Sequence, residues 1–198
     1  MSIFAAGFAD PVLDAQAVFR ATMTALSRPG IPLPIGATVA APAPLTPALA
    51  ALTLMLADPD TWVWLEPRIA GSSDVRDWLA FQTGAPVVDD PAHAGFALVL
   101  DLAAALPLER FTFGTDEYPD RSTTILAAVP TLTGGPRMIL SGPGIDGATP
   151  FEPLGLPDTF VAESTENNAQ FPRGVDLLLV ADNAIVGLPR TTRIELEG

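Results

Sequence analysis

The segment Gly114–Ser122, with the sequence GTDEYPDRS, is the densest group of residues that could perform chemistry. Its polar side chains include Asp116, Glu117, Tyr118, Asp120, Arg121 and Ser122. Paired carboxylates can transfer protons or hold a magnesium ion. The same composition is typical of a solvent-exposed loop with local Asp turns, and the sequence alone favours that second interpretation.

A glycine-rich turn, LSGPGIDG at Leu140–Gly147, is the second candidate. Gly142 and Gly144 would let the backbone approach a ligand or adopt a positive φ. A strand followed by such a turn can cradle a phosphate group. However, GPG lacks the GxGxxG spacing and no clear helix opens directly after it, so the pattern favours a plain tight turn.

Four arginines near turns or the end of the sequence are candidate anion ligands, because a guanidinium binds phosphate or carboxylate through two hydrogen bonds. They are Arg137, Arg173, Arg190 and Arg193. In so acidic a chain each could equally pair with a carboxylate, and structural or interface pairing is the favoured interpretation. His93 is predicted to be a surface or turn residue. The tryptophans Trp62, Trp64 and Trp78 are predicted to lie in the core.

Composition excludes several classes of protein. The net charge of −13 disfavours binding to nucleic acid or anionic lipid. Without cysteine there is no disulfide framework, thiolate zinc site or cysteine nucleophile, which suits the cytoplasm. All ten basic residues are arginines, so neither a pyridoxal phosphate Schiff base nor a Walker A lysine is available. A single histidine excludes a multi-histidine metal site.

Targeting and membrane segments are not expected. The opening MSIFAAGFADP has no basic region ahead of its apolar residues, unlike a secretory signal. The longest apolar stretches, Leu45–Ala57 and Ala94–Leu106, are too short to span a bilayer.

The elements that must position these residues follow from hydrophobic spacing and turn signals. Helices are predicted at Asp14–Arg28, Leu49–Ala57, Asp74–Thr83 and Thr159–Ala169. Asp14 can cap the first, whose apolar stripe is predicted to be Val18, Met23 and Leu26 with Phe19 alongside. Ser72 or Ser73 can cap the third, and Gly84 can end it. Strands are predicted near Thr38–Ala40 and at Thr61–Leu65, Phe96–Leu100, Ser122–Val129, Arg137–Leu140, Val175–Val180, Ile185–Val186 and Arg193–Leu196. Their order predicts an α/β fold, a three-layer sandwich around a mixed central sheet, in one domain over residues 1–198.

The order of several segments resembles the PhnH family over nearly the whole chain. These are GFADPVLDAQAVFRATMTALSRPG, TWVWL, FQTGAP, EYPDRSTT, LSGPGI, FPRGVDLLLV and LPRTTRIEL. The resemblance implies a subunit of the bacterial carbon–phosphorus lyase core complex, with PhnG-, PhnI- and PhnJ-type partners and a homodimer in isolation. The implied role is in converting alkylphosphonate and ATP to ribose 1-phosphonate 5-triphosphate with release of adenine, before the C–P bond is cleaved.

The resemblance also implies a fold like the large domain of pyridoxal-phosphate-dependent transferases, without the cofactor. It supplies no catalytic residues, and no independent activity is expected. The candidate ligand-binding residues, for ATP or a phosphonate, are therefore Tyr118, Asp120, Arg121, Ser122, Gly142, Gly144, Arg173, Arg190 and Arg193. The alternative is a protein that binds a nucleotide triphosphate or a phosphonate on its own.

Overall fold

The computed structural model describes residues 7–197. The first six residues of the opening MSIFAAGFADP, which was predicted not to be a secretory signal, lie outside the described residues. The helices are α1 (Pro11–Ser27), α2 (Pro47–Leu56), α3 (Pro67–Ala70), α4 (Ser73–Thr83) and α5 (Phe160–Ala169). The strands are β1 (Leu33–Pro34), β2 (Val63–Leu65), β3 (Val87–Val88), β4 (Phe96–Val99), β5 (Thr124–Ala128), β6 (Met138–Ser141), β7 (Thr149–Phe151), β8 (Asp176–Ala181), β9 (Ala184–Leu188) and β10 (Arg193–Leu196). Short 3-10 turns occupy Pro91–His93, Leu102–Ala105, Leu108–Arg110 and Pro119–Arg121.

The central sheet has seven strands in the order β1-β9-β8-β5-β4-β2-β3. The run from β8 to β3 is parallel, whereas β9 pairs antiparallel with β8, and β1 antiparallel with β9. Strands β4, β5 and β8 read as nearly continuous apolar runs because both faces of the sheet are covered. The predicted α/β class with a mixed sheet is confirmed. A second, antiparallel sheet has the order β10-β6-β7.

Each face of the large sheet carries its own apolar core. Helices α1, α2 and α4 cover one face, where Val18, Leu49 and Trp78 are fully buried. The small sheet and α5 cover the other face, where Leu140 and Phe160 are buried. The result is three layers with the large sheet in the middle.

The caps explain where the helices begin. Asp10, rather than the predicted Asp14, caps α1 by accepting hydrogen bonds from the amides of Val12 and Leu13 at 3.0 and 2.9 Å. Pro11 follows at the first helical position, which tolerates its missing N–H. The predicted serine cap of α4 is confirmed, since the Ser72 hydroxyl accepts from the amide of Val75.

The predicted apolar stripe of α1 is wrong in part. It comprised Val18, Phe19, Met23 and Leu26. The buried residues are instead Val18, Thr22 and Ala25. Phe19 and Met23 are 52% and 50% exposed. The reason is the close approach of α1 to β9, since a methyl group on Gly187 would lie only 2.6 Å from the backbone of Ala25. Small residues are therefore required at that contact.

Two further predictions are corrected. The strand expected near Thr38–Ala40 is absent from these described residues; Val39 is buried, but its amide bonds the carbonyl of Pro47. Trp62 was predicted to be a core residue, yet it is 49% exposed, because it stands just before β2, where the parallel strands begin. Trp64 and Trp78 are buried as predicted. Helix α3 and strands β1, β3 and β7 were not predicted.

Candidate functional site at the amino ends of the strands

Most of the candidate residues meet where the parallel strands begin, here called the amino-end edge. The segment Tyr118–Ser122 leads into β5, and Arg173 precedes β8. Because β9 runs antiparallel to β8, its last residue returns to the same edge, and Arg190 follows two residues later. The topology therefore gathers residues that lie far apart in the sequence.

Arg190 joins these loops through its whole guanidinium group. Nε and Nη2 bind the two carboxylate oxygens of Asp176 at 3.2 and 2.6 Å, as a bidentate pair. Nη2 also donates to the Ser122 hydroxyl at 2.6 Å. Nη1 donates to the carbonyl oxygens of Pro119 and Pro172 at 2.8 and 3.3 Å. All five N–H donors of the side chain thus have an acceptor in the protein.

This network makes Arg190 a support for the edge. Its side chain is only 12% exposed, and Asp176 compensates its charge. The guanidinium ties the loop before β5 to the loop before β8. The structure therefore brings the candidates Ser122 and Arg190 together, but it commits both to contacts within the protein.

A second arginine on the edge, Arg121, is exposed and held by an aromatic ring. Its guanidinium carbon lies 4.1 Å from the centroid of the Tyr118 ring, in cation–π geometry. Arg121 lines a cleft of about 370 Å³ with Trp62 and His93, whose rings meet edge to face at 6.2 Å. His93 is exposed, as predicted, and its Nδ1 lies 3.7 Å from a carboxylate oxygen of Asp90. A guanidinium, an imidazole and an indole therefore border one concave surface.

The remaining residues of the segment face solvent. Asp120 is exposed beside Arg121, and the neighbouring Asp116 is paired with Arg173 at 3.4 Å. Arg173 also donates to the side-chain oxygen of Gln170 at 2.8 Å. Arg173 therefore connects the acidic segment to the loop before β8, as the pairing interpretation predicted.

The glycines of the GPG turn are required by close packing of the chain on itself. Gly142 has φ +129°, and a methyl group there would lie 2.8 Å from the carbonyl oxygen of Thr191. Gly144 has φ +82°, and a methyl group there would collide with the carbonyl oxygen of Ser27 at the end of α1. The turn consequently wedges between α1 and the segment before β10.

Beside this turn lies a cleft of about 500 Å³, lined by Gly142, Pro143, Asn168, Phe171, Thr191 and Arg193. The structure therefore brings the candidates Gly142 and Arg193 together, while Gly144 faces α1. Arg193 is exposed and forms no ion pair or side-chain hydrogen bond among residues 7–197. By contrast, Arg137 is held by Glu152 and Glu197 at 3.3 and 3.0 Å. Arg193 thus offers its donors to a ligand or partner.

The opposite, carboxyl-end edge contains a residue that sequence reasoning missed. Glu66 directly follows β2 and is fully buried. One carboxylate oxygen accepts from the amides of Leu100 and Asp101, both at 3.0 Å, and the other accepts from Nε of Arg68 at 3.0 Å. The only signal in the sequence was a carboxylate immediately after the apolar strand TWVWL.

Glu66 occupies the place where α/β sheets commonly bind ligands. After β2 the chain first forms β3 on one side and then β4 on the other, so the strand order reverses between β2 and β4. Ligands in open α/β sheets bind outside the carboxyl ends of the strands at such a point. Here the fully buried carboxylate of Glu66 binds the partly buried amides of Leu100 and Asp101 after β4 and occupies that place itself.

Within residues 7–197, no group of three or more His, Cys, Asp and Glu side chains is arranged to hold a metal ion. No helix in that part of the chain has the length and apolar character needed to cross a bilayer.

Comparison of the sequence with known proteins identifies a family and two relatives. The family model described as "Bacterial phosphonate metabolism protein (PhnH)" matches residues 6–195. A protein of Rhizobium meliloti (strain 1021), alpha-D-ribose 1-methylphosphonate 5-triphosphate synthase subunit PhnH, is 46% identical over 98% of this chain and 97% of its own. A putative C-P lyase subunit, HtxG of Stutzerimonas stutzeri, is 33% identical over 92% of this chain and 87% of its own.

Proposed function

Because the chain belongs to the PhnH family, we propose that it is a subunit of the carbon–phosphorus lyase core complex. In this role it is needed for the step that converts an alkylphosphonate and ATP to ribose 1-phosphonate 5-triphosphate with release of adenine. The observation that carries the proposal is the 46% identity, over nearly both full lengths, to a subunit of the synthase that is named for this product.

The geometry supports a role within a complex. The most elaborate polar network, around Arg190, positions two loops and leaves none of its donors for a ligand. The same amino-end edge carries exposed Trp62, Tyr118 and Arg121, residue types that are enriched at the energetic centres of interfaces. The proposed partners are PhnG-, PhnI- and PhnJ-type subunits, and in their absence a second copy of the chain.

Three further properties belong to the proposal. The fold corresponds to the large domain of pyridoxal-phosphate-dependent transferases, without the cofactor; the absence of lysine supports this. The complex works in the cytoplasm, which the absence of cysteine suits. The subunit has no turnover of its own.

Co-expression with PhnG-, PhnI- and PhnJ-type subunits tests the proposal. We expect the chains to co-elute on size exclusion and adenine to be released from ATP in the presence of methylphosphonate. Omitting this chain should reduce adenine release, and adding it back should restore release. An unchanged rate without it, or separate elution, would refute the proposed role.

One observation favours a second candidate function, the binding of a nucleotide triphosphate or phosphonate by the isolated chain. Arg193 and Gly142 line the same cleft, and Arg193 has no carboxylate partner among residues 7–197. A guanidinium that is not neutralised by a carboxylate is suited to an anionic ligand.

Calorimetry with ATP and with methylphosphonate tests this second function. Binding should weaken by about tenfold in Arg193→Ala, the loss of one charged hydrogen-bonding group. The matched control is Arg137→Ala, which removes an arginine already paired with two glutamates. Flat titrations at millimolar ligand, or equal losses in both variants, would exclude specific binding in this cleft.

A further inference from the structure

The outer face of α1 is an apolar surface that residues 7–197 leave uncovered. Val12, Phe19 and Met23 are 63%, 52% and 50% exposed, and Leu13 beside them is 62% exposed. Val12, Gln16, Phe19 and Met23 follow one another at intervals of four, three and four residues, so they form a single stripe along the helix. The stripe is about 16 Å long, at 1.5 Å of rise per residue. This spacing is that of a seam between two packed helices.

The stripe belongs to a helix that is firmly placed. The opposite side of α1 buries Val18, Thr22 and Ala25 against the sheet, with Ala25 in close contact with Gly187. The helix therefore cannot rotate to bury Phe19 and Met23 without losing that contact. A partner that covers the stripe would meet a preformed surface and need not order it.

The outer face of α1 is poor in charge for so acidic a chain. The chain has 23 carboxylate residues, yet the exposed positions of α1 carry no acidic side chain and only Arg20 as a charge. Elsewhere, exposed Leu196 stands between Glu195 and Glu197, and Tyr118 stands beside Glu117. The centres of protein interfaces are depleted of charged residues in the same way.

We propose that the outer face of α1 is the surface on which two copies of this chain pair, with their α1 helices antiparallel; this rests on the proposed homodimer. Two copies each carry a net charge of −13 and repel one another, which favours contact at a surface that is poor in carboxylates. Antiparallel pairing sets Val12 against Met23 of the second copy, and Gln16 against its Phe19. A two-fold axis between Gln16 and Phe19 makes the stripe complementary to itself.

The charges at the ends of α1 favour the same arrangement. Asp10 precedes the helix and Asp14 lies in its first turn, whereas Arg20 lies in its second half and Arg28 directly follows it; neither arginine forms an ion pair among residues 7–197. Antiparallel pairing brings the acidic end of each helix to the basic half of the other. It also sets the two helix dipoles in opposite directions, which is electrostatically favourable.

Light scattering at micromolar concentration tests the surface. The unaltered chain should have about twice the monomer mass of 20.6 kDa, and Phe19→Asp/Met23→Glu should have the monomer mass with an unchanged circular dichroism spectrum. The matched control is Phe81→Asp, which places a charge at a phenylalanine of α4 that is 62% exposed, and should remain dimeric. A monomeric unaltered chain would overturn both the homodimer and its surface. A dimer that persists in Phe19→Asp/Met23→Glu would overturn the surface alone.

Cross-linking tests the antiparallel arrangement directly, because the chain has no cysteine of its own. Val12→Cys/Met23→Cys should form a disulfide-linked dimer on mild oxidation. The two positions are about 16 Å apart on one helix, beyond the reach of a disulfide within a chain. Each single variant should remain largely unlinked. Efficient linking by Val12→Cys alone would indicate parallel pairing and overturn the arrangement, as would a failure of the double variant to link.

Discussion

The two edges of the large sheet each contain an ionic centre, which is fully buried at the carboxyl-end edge and partly buried at the amino-end edge. At the carboxyl-end edge, the carboxylate of Glu66 itself occupies the place where ligands commonly bind and is satisfied by two amides and Arg68. At the amino-end edge, Arg190 and Asp176 lie beneath two loops and hold them in place. Those loops then present Arg121 and Phe171 to solvent. A charged side chain thus occupies the carboxyl-end edge itself, whereas at the amino-end edge it holds two loops in place.

This difference reverses the usual expectation for an α/β sheet. Ligands are normally sought at the carboxyl ends of the strands. In this chain Glu66 occupies that position, while the exposed arginines, aromatic rings and the GPG turn collect at the other end. We therefore expect the amino-end edge to serve the proposed function and the carboxyl-end edge to serve stability.

Replacing Arg190 should have one of the two largest effects. Arg190→Ala removes five hydrogen bonds and leaves the Asp176 carboxylate with only the amide of residue 190, so the free energy of unfolding should fall by about 3 kcal/mol. Denaturant unfolding followed by circular dichroism measures this. Arg193→Ala, three residues away at an exposed arginine, is the control and should change stability by less than about 0.5 kcal/mol. Similar losses in the two variants would contradict the assignment of Arg190 as the support of the edge.

Glu66 should matter for stability alone. Glu66→Ala leaves two buried amides without an acceptor and should lower the free energy of unfolding by about 3 kcal/mol. Glu66→Gln retains an acceptor oxygen and should recover part of that loss. Under conditions where both variants are folded, adenine release by the assembled complex should match that of the unaltered chain. A strong loss of adenine release in a folded Glu66→Gln complex would instead place function at the carboxyl-end edge.

The tryptophans supply a probe of the amino-end edge. Trp62 is half exposed, whereas Trp64 and Trp78 are buried, so acrylamide should quench mainly the fluorescence of Trp62. Trp62→Phe should lose the quenchable part of the emission. If the cleft beside Arg121 contacts another subunit, assembly of the complex should protect Trp62 from acrylamide. The other subunits must then contribute no tryptophan emission of their own, so they should lack tryptophan or carry an analogue whose emission is distinguishable. Undiminished quenching in the assembled complex would remove this cleft from the interface.

The smallest effect is expected at the stacked pair of Tyr118 and Arg121. Tyr118→Ala removes an exposed cation–π contact and should lower stability by about 0.5–1 kcal/mol. Tyr118→Phe keeps an aromatic ring and should be nearly neutral. Equal losses in the two variants would show that the hydroxyl, not the ring, stabilises the loop.

Local patterns predicted most of the large elements. Strands β4 and β8 are apolar runs, and α4 is bounded by a serine and a glycine. These are strong short-range signals, and all three elements are present. The face of α1 was not predictable, because it depends on the approach of Ala25 to Gly187, more than 150 residues away. Hydrophobic spacing alone favoured the larger side chains of Phe19 and Met23.

The candidate site was predictable as a set of residues but not as a set of roles. Ser122 and Arg190, both singled out by their motifs, meet in one network. That Arg190 is saturated by Asp176 and two carbonyls, whereas Arg193 has no such partners, depends on the turn after β9. Glu66 was missed because its partners are backbone amides, which carry no mark in the sequence.

Hydrogen–deuterium exchange of this chain, alone and in the complex with its partner subunits, tests the central claim most directly. We predict that assembly slows the exchange of peptides from the amino-end edge, which cover residues 114–122 and 170–174. Peptides covering Glu66 and Leu100 at the carboxyl-end edge should exchange at the same rate in both states. Protection confined to the carboxyl-end edge would contradict the assignment of function to the amino-end edge.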